Sequence, residues 1–146
     1  MLYIGSTESG ESLKVRRVIA ERGLTSHMND TKWRALCRAV NDELPFAPPY
    51  QVKYLLSETP HPDELEVAPS YHGDWAQTPE AAMGIFIEWL KVSPRVGRPA
   101  GQLVSPRVED CSELFRAILK RLNIPFQERD GFFMIYGHIS AALVFD

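Results

Sequence analysis

Three side chains in the middle of the chain are of the types that acid–base catalysis uses: His72, Asp74 and Glu88. A histidine exchanges a proton near neutral pH and a carboxylate can accept or return one, so such a set can assist hydrolysis of a small substrate. Sequence spacing alone does not bring the three groups together. A small hydrolase or ligand-binding enzyme using these residues is therefore an alternative function, tested by whether they share one pocket.

Nucleophilic catalysis has weaker support, because both cysteines fall on the apolar stripes of predicted helices. Cys37 and Cys111 are expected to pack as buried thiols, a setting in which cysteine is usually unreactive. They form no C-x-x-C pair, so neither a zinc site nor a disulfide framework is predicted. No serine lies in a G-x-S-x-G or S-x-x-K context. The sequence therefore predicts no catalytic residue.

Histidines are the remaining material for a metal site. His61 and His72 are separated by two prolines and lack the spacing that aims two imidazoles at one ion, and His27 stands apart from both. Neither G-x-G-x-x-G nor G-x-x-x-x-G-K-[ST] occurs, which argues against a bound nucleotide. The sequence predicts no metal and no cofactor.

Charge is distributed unevenly along the chain, although the total is only −3 at pH 7. Residues 41–90 carry nine acidic side chains and one lysine, a net charge of −8. Clustered carboxylates must be solvated or must face a cationic partner. The pI of about 5.8 argues against nucleic acid as a partner, although a basic patch lies nearer the amino terminus. That patch consists of Lys14, Arg16, Arg17, Arg22, Lys32, Arg34 and Arg38.

Aromatic side chains are interspersed with the acidic segment. Tyrosine and tryptophan supply the desolvated anchors of many protein interfaces, and carboxylates steer a basic partner towards them. The preferred hypothesis is a non-enzymatic protein-binding module, of the kind that a bacterial immunity protein or antitoxin provides against a basic toxin. The side chains expected to contact the partner are Tyr54, Asp63, Glu64, Glu66, Tyr71, Trp75 and Glu88.

Two amphipathic helices are predicted, at residues 31–44 and 108–122. In each, apolar side chains recur at the spacing of one helical face. Asp30 or Thr31 is expected to cap the first helix, and the acidic start of the second suits the helix dipole. A third helical signal, at residues 11–22, has only an approximate apolar stripe.

The remaining patterns favour strands and loops. Strands are predicted at residues 50–56 and 84–92, and a hairpin at 126–136 turns on Asp130-Gly131. Residues 93–105 are predicted to form a long exposed loop. The expected fold class is α+β, with a mostly antiparallel sheet of about four to five strands and two principal amphipathic helices packed on one face.

The segment at 84–92 has the β-branched and aromatic residues that are typical of a central strand. Strict alternation places Ile87 and Trp89 on one face and Leu90 on the other. An uncovered apolar strand invites pairing with a second copy, so a structural homo-oligomer is a further alternative, built on this strand or on the apolar tail at 141–145. A homodimer would be the simplest form.

Membrane insertion is not expected from the sequence. No stretch approaches the ~18 consecutive apolar residues of a membrane helix, and the opening residues lack the pattern of a secretion signal. Together with the expected free thiols, these patterns favour a cytoplasmic protein without a membrane partner.

Four short motifs stand in order along the chain: Asn29-Asp-Thr-Lys-Trp33, Ile87-Glu-Trp89, Ile124-Pro125 and Ile135-Tyr-Gly137. Over roughly residues 28–138 the chain thereby resembles a bacterial small-protein family, a domain of unknown function, whose members open with N-x-T-K-W and end with an I-Y-G strand. The resemblance implies compactness and bacterial origin and transfers no catalytic residue. Since Met28 directly precedes the first motif, residues 1–27 are expected to be an N-terminal arm or extension with a short helix. Residues 28–146 are expected to form a single α+β domain.

Overall fold

A four-stranded antiparallel sheet with helices on one face organises the chain. The computed structural model describes residues 10–75, 84–98, 107–140 and 145–146. Within these residues it has helices α1 (Gly10–Arg22), α2 (Asp30–Glu43) and α3 (Ser112–Arg121), and a short 3₁₀ helix at Gly84–Phe86. The strands are β1 (Leu24–Ser26), β2 (Tyr50–Tyr54), β3 (Ile87–Val92), β4 (Arg95–Arg98), β5 (Arg107–Asp110), β6 (Phe126–Arg129), β7 (Phe132–Tyr136) and β8 (His138–Ser140).

The central sheet has the strand order β2-β3-β7-β6, with every pair antiparallel. Its inner face carries Leu90 opposite Val52 on one side and opposite Ile135 on the other. These side chains pack with buried residues of α2 and α3 in one apolar core. The α+β fold class predicted from the sequence is confirmed.

The two principal helices bury the stripes that the sequence predicts. Trp33, Leu36 and Val40 of α2 are buried, as are Phe115 and Leu119 of α3. The cap of α2 lies one residue earlier than expected, at Asn29, whose Oδ1 accepts a hydrogen bond of 2.8 Å from the Lys32 backbone N–H. An asparagine at this position satisfies an amide that the first turn leaves without a partner.

The predicted start of α3 and the predicted loop before this helix were wrong. Residues 107–110 form β5, paired with β4, so the helix begins at Ser112 rather than at 108. Asp110 does act at the helix start, since its Oδ1 accepts a 2.7 Å hydrogen bond from the Ser112 backbone N–H. Val96 of β4 is buried, so residues 93–98 are not an exposed loop. Residues 99–106 lie outside the described residues.

A β-bulge breaks the predicted alternation of the strand at 84–92. Lys53 pairs with Trp89 but the next residue, Tyr54, pairs with Ile87, which leaves Glu88 without a partner on β2. Because of this extra residue, both Ile87 and Leu90 lie in the core. The prediction was right about a strand at 87–92, but wrong about residues 84–86, which form the 3₁₀ helix, and about the face of Ile87.

The amino-terminal segment is joined to the rest of the chain through α1 and β1. Val15 of α1 is fully buried against Leu55 and Phe86, and β1 pairs with β8. The predicted short helix is confirmed, while the domain boundary at residues 27/28 stays a prediction. None of the described helices has the length and apolar character needed to cross a membrane.

Candidate protein-binding surface

The acidic loop, residues 57–67, is anchored to the outer edge of the sheet. The Val52 backbone N–H donates to His61 O at 2.9 Å, and the His61 N–H donates back to Val52 O at 2.8 Å. Gln51 extends this contact, since its Nε2 donates to the carbonyl oxygens of Pro62 and Asp63, each at 2.9 Å. The loop thus covers backbone groups that β2 would otherwise expose.

A third anchor holds the far end of the acidic loop. The Ser93 hydroxyl donates to Val67 O at 2.6 Å. Gln51 alternates with the core residue Val52 on β2, and Ser93 directly follows Val92 at the end of β3. The loop is therefore held at β2 and again at the end of β3.

The side chains of the acidic loop carry charge that the rest of the fold does not neutralise. Glu58, Asp63, Glu64 and Glu66 are all exposed. In the part of the chain that the structure describes, none of these four carboxylates has a cation within ion-pair distance. By contrast, Glu43 in the same acidic third of the sequence pairs with Arg121. Free negative charge is concentrated on the loop.

Beside the acidic loop lies a cleft of about 580 Å³, which we call the apolar groove. Tyr54, Leu56 and Phe86 form much of its wall, and Leu56 is 44% exposed. Burial raises the pKa of the Tyr54 hydroxyl to about 12, with a smaller contribution from Tyr50, so the ring stays neutral at ordinary pH. The full lining is Glu11, Val52, Tyr54, Leu56, Ser57, His61 and Phe86.

Most of this groove was not predicted from the sequence. The predicted strand at 50–56 placed Leu56 on the same face as Tyr54 and Val52. The strand ends at Tyr54, however, and Leu55 turns inward while Leu56 faces solvent. Phe86 reaches the groove from a 3₁₀ turn that no periodic signal announced. Only Tyr54 belonged to the predicted partner-binding set.

Two aromatic residues predicted to anchor a partner differ in their position. Tyr71 is 47% exposed and lies on the surface as expected. Trp75 was expected on the surface but is buried, with a side chain that is only 2% exposed. Its Nε1 donates to Pro48 O at 2.8 Å, and its ring packs edge-on against Phe115 and Tyr50. One buried carbonyl satisfies the indole, so Trp75 is a core residue.

Glu88 also faces inward more than the sequence suggested. Its Oε1 lies 3.2 Å from Lys53 Nζ and 3.3 Å from Arg22 Nη1. The side chains of Glu88 and Lys53 are 17% and 16% exposed. This carboxylate links α1, β2 and β3 to one another, and its charge is already compensated.

The residues proposed for acid–base chemistry are held at different ends of β2. Tyr50, at the start of β2, donates from its hydroxyl to Asp74 O at 2.8 Å. His72 stacks on Phe46 with ring centroids 6.2 Å apart. Glu88 instead contacts Lys53, three residues further along the strand, a rise of about 10 Å. Neither the apolar groove nor the cleft at the start of α3 is lined by any of these three residues, and the hydrolase alternative stays a prediction.

A second cleft, of about 590 Å³, opens at the start of α3. Its guanidinium groups are already paired: Arg116 donates to both carboxylate oxygens of Glu128, at 2.9 and 2.7 Å, and Arg95 Nε lies 3.0 Å from Asp110 Oδ2. Cys111 borders the cleft but is 2% exposed, and burial raises the pKa of its thiol to about 12. The thiol is therefore protonated, and the ion pairs stabilise local packing.

Neither strand pairing nor a metal ion finds support within the described residues. Both hydrogen-bonding edges of β3 are used by β2 and β7, so this strand cannot pair with a second copy without unfolding the sheet. At the outer edge of β6, the Glu128 N–H donates to Asp146 Oδ2. Residues 141–144 of the apolar tail lie outside the described part. No group of three described His, Cys, Asp or Glu side chains is placed to hold a metal.

Comparison with known proteins identifies one family. No curated protein and no solved structure shows significant similarity to the chain. A family model matches residues 15–142, which include α1 from Val15 onwards, the sheet and the acidic loop. The match extends beyond the roughly 28–138 covered by the sequence motifs. The chain belongs to a family of unknown function, DUF6678.

Proposed function

We propose that the protein is a non-enzymatic protein-binding module that recognises a basic partner through the acidic loop. The observation that carries this proposal is the set of four exposed carboxylates, free of ion pairs among the described residues, on a loop anchored at three points. Tyr71, half exposed, follows the loop in sequence and provides an aromatic contact. Trp75, which is buried, and Glu88, whose carboxylate already pairs with Lys53 and Arg22, are left out of the contact set.

An anchored acidic loop suits binding for two physical reasons. Its charge raises the rate at which a cationic partner arrives, an effect that salt weakens. Its fixed backbone lowers the entropy lost on association, because the loop is ordered before the partner arrives. Electrostatic recognition of this kind requires no catalytic group and no cofactor.

The specific form of the proposal is an immunity-like or antitoxin-like protein of the bacterial cytoplasm. Its partner would then be a basic toxin, whose active surface the acidic loop masks. The negative charge of the loop supports this form, because a basic surface that binds nucleic acid can be neutralised by carboxylates that mimic phosphates.

The test is capture of a partner from the native host at about 50 mM and about 500 mM salt. The variant protein carries Asp63→Lys, Glu64→Lys and Glu66→Lys. The proposal predicts a partner retained at low salt, lost at high salt, and not retained by the variant. The captured protein should be basic.

A matched control separates the loop from overall charge. Glu21→Lys, Asp42→Lys and Glu113→Lys change the net charge by the same amount, but these exposed residues lie on three helices. The control variant should keep the partner. If both variants lose it equally, or neither does, recognition does not reside in the acidic loop.

A further inference from the structure

We propose that the apolar groove beside the acidic loop docks a cationic, amphipathic segment of the protein partner. One large apolar side chain of that segment inserts between Tyr54, Leu56 and Phe86, and neighbouring lysines or arginines face Glu11 and Glu58. This inference rests on the proposed function, to which it adds the site and the chemistry of the bound segment.

The walls of the groove fit an apolar anchor. A volume of about 580 Å³ lies within the range of sites that enclose a ligand. Leu56 is 44% exposed, although it is an aliphatic side chain beside two aromatic rings. Covering such a side chain is favourable in proportion to the apolar area removed from water. The neutral Tyr54 ring adds apolar surface without a charge to desolvate.

The polar groups of the groove select the sign of the partner's charge. Glu11 of α1 is one of the lining residues, and Glu58 follows the lining residue Ser57. Among the described residues that line the groove, no lysine or arginine occurs. His61 lies within the acidic loop, and Asp63 follows it two residues later. An apolar centre with an acidic rim complements an apolar residue flanked by basic ones.

The apolar groove and the acidic loop would bind the partner segment together. The groove and the loop are continuous, because Ser57 and His61 line the groove and belong to the loop. A basic stretch of the partner that lies along the loop therefore delivers its apolar residue to Leu56. Charge gives the rate and orientation of docking, and the apolar contact slows release.

The probe is a fluorescein-labelled synthetic helical peptide of lysine and leucine, followed by fluorescence anisotropy. A lysine–serine peptide of the same length and charge serves as the polar reference. We expect the full chain to bind the lysine–leucine peptide about tenfold more tightly than the reference, from burial of one leucine. Leu56→Ala should remove about fivefold or more of this difference.

Leu114→Ala is the matched control, because Leu114 is 51% exposed and borders the other cleft. It should change the affinity by less than about twofold. Both leucines are exposed, so neither variant removes a core side chain. A second variant, Glu11→Lys with Glu58→Lys, should weaken binding of the lysine–leucine peptide by about tenfold or more at low salt.

Four results would overturn the proposal that the groove docks a partner segment. Equal affinity for the two peptides, or unchanged affinity in Leu56→Ala, would mean that charge alone binds; the proposed function would survive if Asp63, Glu64 and Glu66 reversal still released the host partner. Absence of binding to either peptide would also reject the groove, while host capture judges the function separately. A dimer in light scattering that Leu56→Ala converts to a monomer would assign the groove to a second copy.

Discussion

His138 connects three elements through both nitrogens of its buried ring. Its Nε2 lies 2.8 Å from the Ile85 carbonyl oxygen, which can only accept, so Nε2 carries the hydrogen. Its Nδ1 lies 2.6 Å from the Ser26 hydroxyl and therefore accepts from it. The neutral imidazole is thus fully hydrogen-bonded between β1, β8 and the 3₁₀ turn.

Stability is predicted to fall on mild acidification because of this ring. Burial lowers the pKa of His138 below the ordinary value of 6.5, and the Ile85 carbonyl and Glu88 only partly oppose that effect. The unfolded chain then binds a proton that the folded chain resists, so this contribution is complete above pH 6.5 and declines below it. Urea unfolding between pH 5 and about 7.5, followed by tryptophan fluorescence, measures the decline.

His138→Gln should flatten this pH dependence, because an amide can donate to Ile85 without titrating. The comparison variant is His72→Gln, since that ring is exposed on the surface. It should retain the slope of the wild-type protein. A wild-type free energy of unfolding that is constant over this range would contradict the prediction.

Individual side chains show where sequence reasoning reached its limit. The charge of Glu64 and Glu66 was sufficient to place them on the surface, because unpaired carboxylates are rarely buried. The burial of Trp75 had no such signal, because Trp75 follows a loop without periodicity. Its indole is held by a hydrogen bond to the carbonyl of Pro48, which is distant in sequence. Tyr71, four residues earlier, does lie on the surface as predicted.

At the scale of the elements, the ion pair between Glu88, at the bulge of β3, and Lys53 of β2 should contribute measurably to stability. Glu88→Gln keeps the shape of the side chain but leaves the Lys53 ammonium without its carboxylate, although Lys53 still donates to Tyr54 O. For a partly buried pair we expect a loss of about 1–2 kcal/mol in the free energy of unfolding. Glu21→Gln, on the exposed side of α1, is the control and should lie within about 0.5 kcal/mol of wild type. Equal values for the two variants would show that the pair is dispensable.

Gly137 ends the I-Y-G motif for a steric reason. A Cβ at this position would lie 2.1 Å from Ile87 O, a backbone atom that β3 holds in place. Gly137→Ala is therefore expected to cost about 3 kcal/mol or more, measured by urea unfolding. Gly10→Ala, where a Cβ meets nothing within 4 Å, should have little effect. A small cost at Gly137 would mean that β3 and β7 separate easily at this point.

Elements with a local signal were predictable, and those made by distant pairing were not. The stripes of α2 and α3 and the Asp130-Gly131 turn, with φ values of 55° and 85°, follow from neighbouring residues. The three-residue strands β1 and β8 are too short to show a period, and they exist because each pairs with the other across the chain. The β4–β5 pair was missed for a related reason, since Pro94 and Gly97 resemble loop residues.

At the level of the whole molecule, removing residues 1–27 is predicted to destabilise the fold. The deletion takes away Val15, which is fully buried, and the strand that pairs with β8, and it uncovers Leu55 and Phe86. We expect a loss of more than about 2 kcal/mol and new binding of a hydrophobic dye. A truncated chain as stable as the full one, without dye binding, would identify residues 1–27 as a detachable arm.

The acidic character of the proposed partner-binding surface was predictable, but its shape was not. Nine acidic residues against one lysine in residues 41–90 indicated a charged surface. The structure shows that Glu43 and Glu88 of this group are neutralised by distant basic residues, which no local pattern reveals. Four of the other seven, Glu58, Asp63, Glu64 and Glu66, lie on the anchored acidic loop, and the apolar groove lies beside it.

Hydrogen exchange of the full chain, with and without the captured host partner, tests the central proposal most directly because it locates the interface without a mutation. Binding of the partner should slow exchange in residues 57–67 and in the groove around Leu56. Slower exchange confined to α3 and the cleft beside Cys111, with the acidic loop unchanged, would contradict it.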